Sequence, residues 1–591
     1  MKILLITPPL LQPNTPYAAT PLLTAWLKAQ GHDAFQSDLS LKLLLKLFSR
    51  EGLSAVFEAL EFLPEAAEPY LKTVEPVIAY LQNRNPCAAE QILKRGWLPE
   101  GAHLARAYEM EEQLGWNFRG LDSMDRARYL AGLYLDDIAD AAAGLDPNFG
   151  FSRYGEKLAA SVPDFGKIRN ELERGRSLFF QWVEELTDEE MIRHRPGMVV
   201  LTVPFPGCLL GALIIARRIK HTCAGVHIVL GGGYVNTELR RLADPSIFEY
   251  VDSITLDSGF LPLKQLAGGG DPVRTFKRVD GRVVFMSAEK TEVPHGDLPP
   301  PDFRGLELDD YFGVFETLNP VTRLWSEDRW NKLVLAHGCC WSRCAFCDTS
   351  IDYICRYDPA DPGVICDWIV HVMNETGFSG FHFVDEALPP DLLDGLCDEI
   401  QRRRLEIEWW GNIRYEKRFS TALIRKMADA GCIAVTGGLE TACDRTLKLM
   451  QKGIVMKHAM RVLTDLAEAG VLTHAYLMYG FPTQTEAEIF QALEAVRDLF
   501  DRGVLHSAYW HRFALTAHSR IAKNPEQYNV TVPEIPPAFF AQNEIPFYTA
   551  FDHDPDVVGK VLKRATYNYM LGLGLDLPVD AWRRESEKII F

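Results

Sequence analysis

Gly338-Cys339-Cys340-Trp341-Ser342-Arg343-Cys344-Ala345-Phe346-Cys347 decides how this chain is read. Cys340, Cys344 and Cys347 stand in the spacing C-x3-C-x2-C. Thiolates are the ligands that iron–sulfur clusters prefer. Three on one short loop can hold three irons of a 4Fe–4S cube and leave the fourth without a protein ligand. A structural zinc site usually wants four closed ligands, often as two separated C-x2-C pairs, and no second pair accompanies this triplet. Cys339 adjoins the triplet but breaks its spacing.

The stretch Lys332 to Ala336 reads as a strand that delivers the cysteine loop. Strand and helix signals then alternate, with strands expected at Gly380–Val384, Glu408–Ile413, Ala434–Gly438, Thr473–Tyr479 and Ser507–Phe513. Alternation of this kind implies βα units and a parallel sheet, here six units at residues 329–514. Polar residues fall at the expected strand ends, where barrels of this class place their active groups. Asp385 and Glu386 follow the second strand, Asn412 and Arg414 the third, Glu440 and Thr441 the fourth, and Gly480 the fifth.

Upstream, Lys2 to Thr7 is a short apolar run followed by a Pro-rich loop. A helical pattern from Ala18 to Gly31 and a strand at His32–Asp38 complete a β–loop–α–β unit of Rossmann type. The rhythm breaks over residues 41–195, which read as helical, and resumes with strands at Met198–Val203, His227–Leu230 and Val251–Leu256. Residues 1–40 and 196–297 together predict one five-stranded doubly wound sheet interrupted by a helical insertion. Residues 298–328, opening Leu298-Pro299-Pro300-Pro301-Asp302, read as a linker, and 515–591 as a tail. In that tail Asp554 is expected to cap a helix that starts at Pro555.

The fold class expected is therefore α/β. A doubly wound parallel sheet precedes six βα units, which the resemblance carried by the cysteine loop implies are a partial (β/α)6 barrel, with a helical insertion and a C-terminal helical tail. The chain has 591 residues, 47% of them hydrophobic and 24% charged, a composition of globular proteins. A net charge of −18 argues against a nucleic-acid-binding surface. The longest apolar run, Cys208 to Ala216, is about half a membrane span. The first residues lack the features of a signal peptide, so a cytoplasmic location is expected. Nine of the twelve cysteines follow residue 338, a distribution that suits metal chemistry better than a disulfide framework.

The cysteine loop resembles that of the radical S-adenosylmethionine (SAM) family, with Phe346 in the aromatic place of its C-x3-C-x-aromatic-C motif. The resemblance implies a 4Fe–4S cluster on Cys340, Cys344 and Cys347. It also implies SAM chelating the open iron and a 5′-deoxyadenosyl radical formed by reductive cleavage. Gly438-Leu439-Glu440-Thr441 is similar to the family's fourth-strand signature, and Met478-Tyr479-Gly480-Phe481-Pro482 to its fifth. Arg414 resembles the basic residue that binds the methionine carboxylate. A sheet of Rossmann type before such a barrel resembles the cobalamin-dependent class. Contact loops after strands would then include Pro8, Pro9, Val203, Pro204 and the glycines Gly231, Gly232 and Gly233, whose bare backbone could approach a corrin. Two departures stand out: no D-x-H-x-x-G motif supplies a histidine for cobalt, and Leu256-Asp257-Ser258-Gly259-Phe260 replaces an acidic glycine turn. The expected activity is methylation of an unactivated carbon of a small-molecule or peptide substrate. Flavodoxin or ferredoxin is the expected electron donor. A radical cyclase or rearrangement enzyme, and a non-catalytic iron–sulfur or cobalamin sensor, are the alternatives.

Overall fold

The computed structural model describes residues 1–114, 122–152, 155–287, 291–315, 319–534 and 539–584. Among them, the first sheet comprises β1 (Lys2–Thr7), β2 (Asp33–Asp38), β3 (Met198–Thr202), β4 (His227–Gly231), β5 (Ser253–Thr255), β6 (Thr275–Val279) and β7 (Arg282–Met286). Its order is β2-β1-β3-β4-β5-β6-β7. The first five strands are parallel, whereas β6 and β7 form an antiparallel hairpin on the edge. The expected sheet had five strands; it has seven. The missed hairpin turns at Asp280-Gly281, both with positive φ, and an Asp-Gly pair is the strongest short hairpin signal there is.

Each face of this sheet belongs to a different core, because successive side chains of a strand point oppositely. Leu4, Ile6, Val199 and Leu201 pack into a core shared with Leu43, Tyr134 and Phe179 of the helices between Leu39 and His194. Ile3, Leu5, Val200 and Val229 pack into a second core with Leu333, Phe381 and Trp409. The N-terminal sheet is thus fastened to both the helical segment and the barrel. Every residue of β3 is buried, as expected of a strand covered on both faces.

The barrel strands are β8 (Trp330–Leu333), β11 (Gly380–Leu388), β12 (Glu408–Ile413), β13 (Cys432–Glu440), β14 (Leu472–Tyr479) and β15 (Ser507–Arg512). Their order is β15-β14-β13-β12-β11-β8, all neighbours parallel, which leaves the barrel open. Between β8 and β11, a short ribbon of β9 (Ala336–His337) and β10 (Asp358–Pro359) clamps the base of the cysteine loop. The Pro-rich stretch after Leu298 is strapped down: Gln36 Nε2 donates to the Asp302 carbonyl at 2.6 Å, and Lys28 Nζ meets the Asp302 carboxylate at 2.8 Å. A helix at Pro320–Ser326 then sets Trp325 against His474, 4.5 Å between ring centres, and near Trp410. In the tail, Asp554 caps the helix Pro555–Met570 as expected, its side chain accepting from Asp556 N–H. Trp510 of β15 is held against that helix by a 2.8 Å hydrogen bond to Thr566. No described helix is long and apolar enough to cross a membrane.

Candidate active site

The cysteine loop leaves β9 through Gly338, whose φ is +73°. A Cβ there would lie 1.9 Å from the Arg356 carbonyl oxygen, so only glycine fits. Ser342 is also left-handed, at φ +50°, and its hydroxyl donates to the carbonyls of Cys339 and Cys355. Trp341 anchors the loop by donating Nε1–H to Gln451 O at 2.9 Å, and it lies 4.2 Å from the Arg414 guanidinium. From the other side the tail supports it: Ile521 N–H donates to Ala345 O, and Ser350 Oγ donates to His518 O at 2.7 Å.

The three thiols share this loop with unequal environments. The Cys344 thiol is hydrogen-bonded with Cys347, and that bond, helped by Lys452 and Arg414, draws its pKa down to about 6 against the effect of burial. Burial pushes Cys340 up to about 11. Among the described residues, no three His, Cys, Asp or Glu side chains converge on a point that would hold one metal ion. A cluster makes no such demand, because each thiolate binds a different iron. Three thiols on one glycine-turned loop, two of them adjacent beside cations, fit a 4Fe–4S cluster held by Cys340, Cys344 and Cys347.

Beside the loop lies a buried ion pair. Glu440 closes β13 at φ +64°, and its carboxylate is 2.6 Å from Lys452 Nζ, both side chains about one-tenth exposed. Gly438 makes room for the pair: a Cβ on it would stand 2.2 Å from Glu440 Oε1 and 2.5 Å from Lys452 Nζ. The Lys452 carbonyl accepts from Arg414, whose Nε is 3.4 Å from Glu416. Phe346 faces the Lys452 ammonium at 5.8 Å. Thr441 is fully buried with a hydroxyl that has no partner, the kind of orphan a polar ligand satisfies. The structure thus gathers Phe346, Arg414 and Glu440 around the cysteines, with Thr441 next to Glu440 in the chain. Gly480 (φ +71°) shapes the turn after β14 instead, with Pro555 packed over it.

Asp385 and Asn412 behave differently from the ligand role expected of them. The Asp385 carboxylate accepts from Leu335 N–H at 3.0 Å and Ala336 N–H at 2.7 Å, tying the root of the cysteine loop to β11. Burial nevertheless raises its pKa to about 7. Asn412 donates to the Asp385 carbonyl at 2.8 Å and accepts from Thr436, so its amide joins three strands. Lys452 carries no signal in the sequence; it lies in a loop and finds Glu440 only through the fold.

A cavity of about 730 Å³ lies between the C-terminal ends of the first sheet's strands and the barrel lumen. Leu10, Tyr17, Phe205 and Ser258 form the sheet's side of it, and Lys332, His382 and Glu386 the barrel's. Glu386 is exposed along this cavity wall, and desolvation raises its pKa. Pro8, Pro9, Val203, Pro204, Gly231, Gly232 and Gly233 do not line it. The glycines serve backbone packing: a Cβ on Gly232 (φ +112°) would lie 2.5 Å from Val203 O, and one on Gly233 2.7 Å from Pro204 O. The close approach expected for a corrin is made by the neighbouring loop.

Residues 334–496 match the family described as the radical SAM superfamily. They form a radical SAM domain. Such a domain takes a 4Fe–4S cluster and SAM, the groups the cysteine loop and its polar surroundings fit. An uncharacterised methyltransferase of Pyrococcus horikoshii is 22% identical over 321 residues, 51% of this chain and 64% of that one. The anaerobic magnesium-protoporphyrin IX monomethyl ester cyclase of Rubrivivax gelatinosus is 23% identical over 198 residues, 31% of this chain and 35% of that one. The chain therefore spans less than two thirds of either relative's length. The radical SAM methyltransferase TsrM from Kitasatospora setae, solved with cobalamin and a 4Fe–4S cluster bound, shares the fold. Its TM-score is 0.53 at 14% identity, over 98% of this chain and 88% of that one.

Proposed function

We propose that this chain is a cobalamin-dependent radical SAM methyltransferase acting on an unactivated carbon. The observation that carries the reading is the cavity shared by the strand ends of a doubly wound sheet and the lumen of a radical SAM barrel. Open α/β sheets bind ligands outside the carboxyl ends of their strands, and barrels do their chemistry at the same end. The cavity therefore offers one chamber to a corrin from one side and to SAM and substrate from the other. The resemblance to TsrM and the methyltransferase relative supports this reading.

When bound, the cluster and SAM supply homolytic cleavage of a sulfonium, and cobalamin supplies a transferable methyl group. The chain's own residues then have separable tasks. Cys340, Cys344 and Cys347 hold irons. Arg414 offers a guanidinium to a carboxylate, a match of planar forks. The Glu440–Lys452 pair presents a fixed carboxylate beside the cluster loop, and Thr441 a free hydroxyl. Asp385 holds the loop's root, and the cavity walls exclude water. Flavodoxin or ferredoxin would supply the electron, in the cytoplasm. Cobalt would have no histidine of a D-x-H-x-x-G motif beneath it.

Anaerobic reconstitution with iron, sulfide and hydroxocobalamin tests the proposal. A retained corrinoid spectrum, 5′-deoxyadenosine and a product one CH2 heavier are expected. A product of unchanged mass, or two hydrogens lighter, would favour the cyclase alternative. A protein that retains cobalamin and cluster but never cleaves SAM would favour a sensor. Cys344→Ala should abolish deoxyadenosine formation with the fold kept.

A further inference from the structure

One cation stands alone in the cavity. Lys332 lies on β8, the first barrel strand, and lines the chamber. In the sheet register it pairs with His382, which pairs in turn with Trp410. The three residues form one rung across the lumen, with the His382 ring stacked on Trp410 at 3.5 Å. Among the described residues, no carboxylate lies within ion-pair distance of Lys332 and it makes no hydrogen bond. The carboxylate that acts on it most is Asp38, across the cavity, which is already engaged by Tyr311 Oη at 2.8 Å and Leu41 N–H at 3.0 Å. Burial lowers the Lys332 pKa to about 8, which leaves it largely protonated near neutrality. Burial together with Lys332 holds His382 neutral.

An unpaired ammonium inside a protein is costly unless something pairs with it. The geometry points to Lys332 as a substrate-anchoring residue that takes the carboxylate of an organic acid bound in the cavity, the substrate class of the chamber assigned above. One cation matches the single charge of a carboxylate. A phosphate would call for more, and Lys332 is the one Lys or Arg lining this cavity among the described residues. Asp38, Glu156, Asp385 and Glu386 share the lining with Lys332, but the rest of it is mostly apolar, with Val384 on the barrel side and Phe205 and Leu22 on the sheet's side, so the acid would carry a single carboxylate on an apolar body. The inference rests on the chamber being the substrate site, but not on methyl transfer.

Its test reads the lysine itself. The full chain, reconstituted with cluster and cobalamin, is treated with a limiting amount of acetic anhydride at pH 8. Acetylation of Lys332 is then followed by peptide mass spectrometry with benzoate, benzamide or inorganic phosphate present. Benzoate is expected to slow acetylation of Lys332 several-fold while surface lysines are unaffected, and benzamide to have no effect. Equal protection by benzamide, stronger protection by phosphate, or no protection by benzoate would overturn the assignment. Lys332→Gln and Lys332→Met, which remove a buried charge without adding bulk, are expected to retain the corrinoid spectrum. If both variants lose cobalamin, Lys332 serves the phosphate of that cofactor and the inference fails. If the wild type never binds cobalamin but benzoate still protects Lys332, the proposed function fails and the inference stands.

Discussion

Lys452→Met tests the construction of the site most sharply. Among the described residues, the substitution removes the one cation within ion-pair distance of a carboxylate that is about nine-tenths buried, at a contact of 2.6 Å. Deleting one member of a buried pair strands the other charge, at a cost of about 3–5 kcal/mol. For a unit the size of the barrel, about 2–4 °C per kcal/mol puts the loss at roughly 6–20 °C in thermal midpoint. Lys452→Met/Glu440→Leu, which removes both charges, should recover most of that loss, because replacing a pair by apolar groups is often neutral. The double variant should still fail to cleave SAM. Burial opposes the charge on Lys452, but Glu440 and the Cys344 thiol outweigh it and its pKa is raised. A lysine with a raised folded pKa contributes stability that is intact below its unfolded value near 10.4 and is lost as pH climbs through the folded value. The part of the gap that comes from Lys452 should therefore shrink above about pH 10.5, and the part that comes from its hold on the Cys344 thiol should shrink as pH falls through about 6. Anaerobic scanning fluorimetry across that range measures it. A Lys452→Met midpoint within about 2 °C of wild type would refute the reasoning.

Asp385→Ala strands the N–H groups of Leu335 and Ala336; at about 1–3 kcal/mol per orphaned donor, it should lower the thermal midpoint and the iron retained after reconstitution. Gly453→Ala would put a Cβ 2.0 Å from the Trp341 ring at φ +75°, so Trp341 should move, and iron per chain measured by ferrozine assay should drop. Gly232→Ala meets Val203 O at 2.5 Å and should cost stability with no direct effect on SAM cleavage by the protein that remains folded.

Much of the fold is legible because each strand is short and flanked by a helical period, as at Thr473–Tyr479 or His227–Leu230. The β6–β7 hairpin was readable too, from Asp280-Gly281, but Thr275–Met286 is half-exposed and carries charge, so its apolar signal is weak. The first barrel strand begins two residues earlier than expected, at Trp330, because Trp330 packs against Trp410 inside the lumen. At the site, the polar strand ends single out Arg414, Glu440 and Thr441, the family resemblance adds Phe346, and the fold sets Phe346, Arg414 and Glu440 beside the cysteine loop. What spacing does not carry is which way a carboxylate turns. Asp385 looks like a ligand in sequence, yet in the fold it caps the backbone of a neighbouring strand's continuation. Gly231-Gly232-Gly233 looks like a cradle and turns out to be a backbone crossing. Lys452, Lys332, the packing of Trp325 on His474 and the tail's support of Ala345 depend on residues far apart in the chain, and no local pattern announces them.

The most direct measurement is 5′-deoxyadenosine formed from SAM by the anaerobically reconstituted, dithionite-reduced protein, alongside a chain with Cys340, Cys344 and Cys347 all changed to Ala. The wild type should hold about four irons, the content of one 4Fe–4S cluster, and release deoxyadenosine, while the triple variant does neither. Zinc or no metal on that loop, or equal deoxyadenosine from both proteins, would contradict the account.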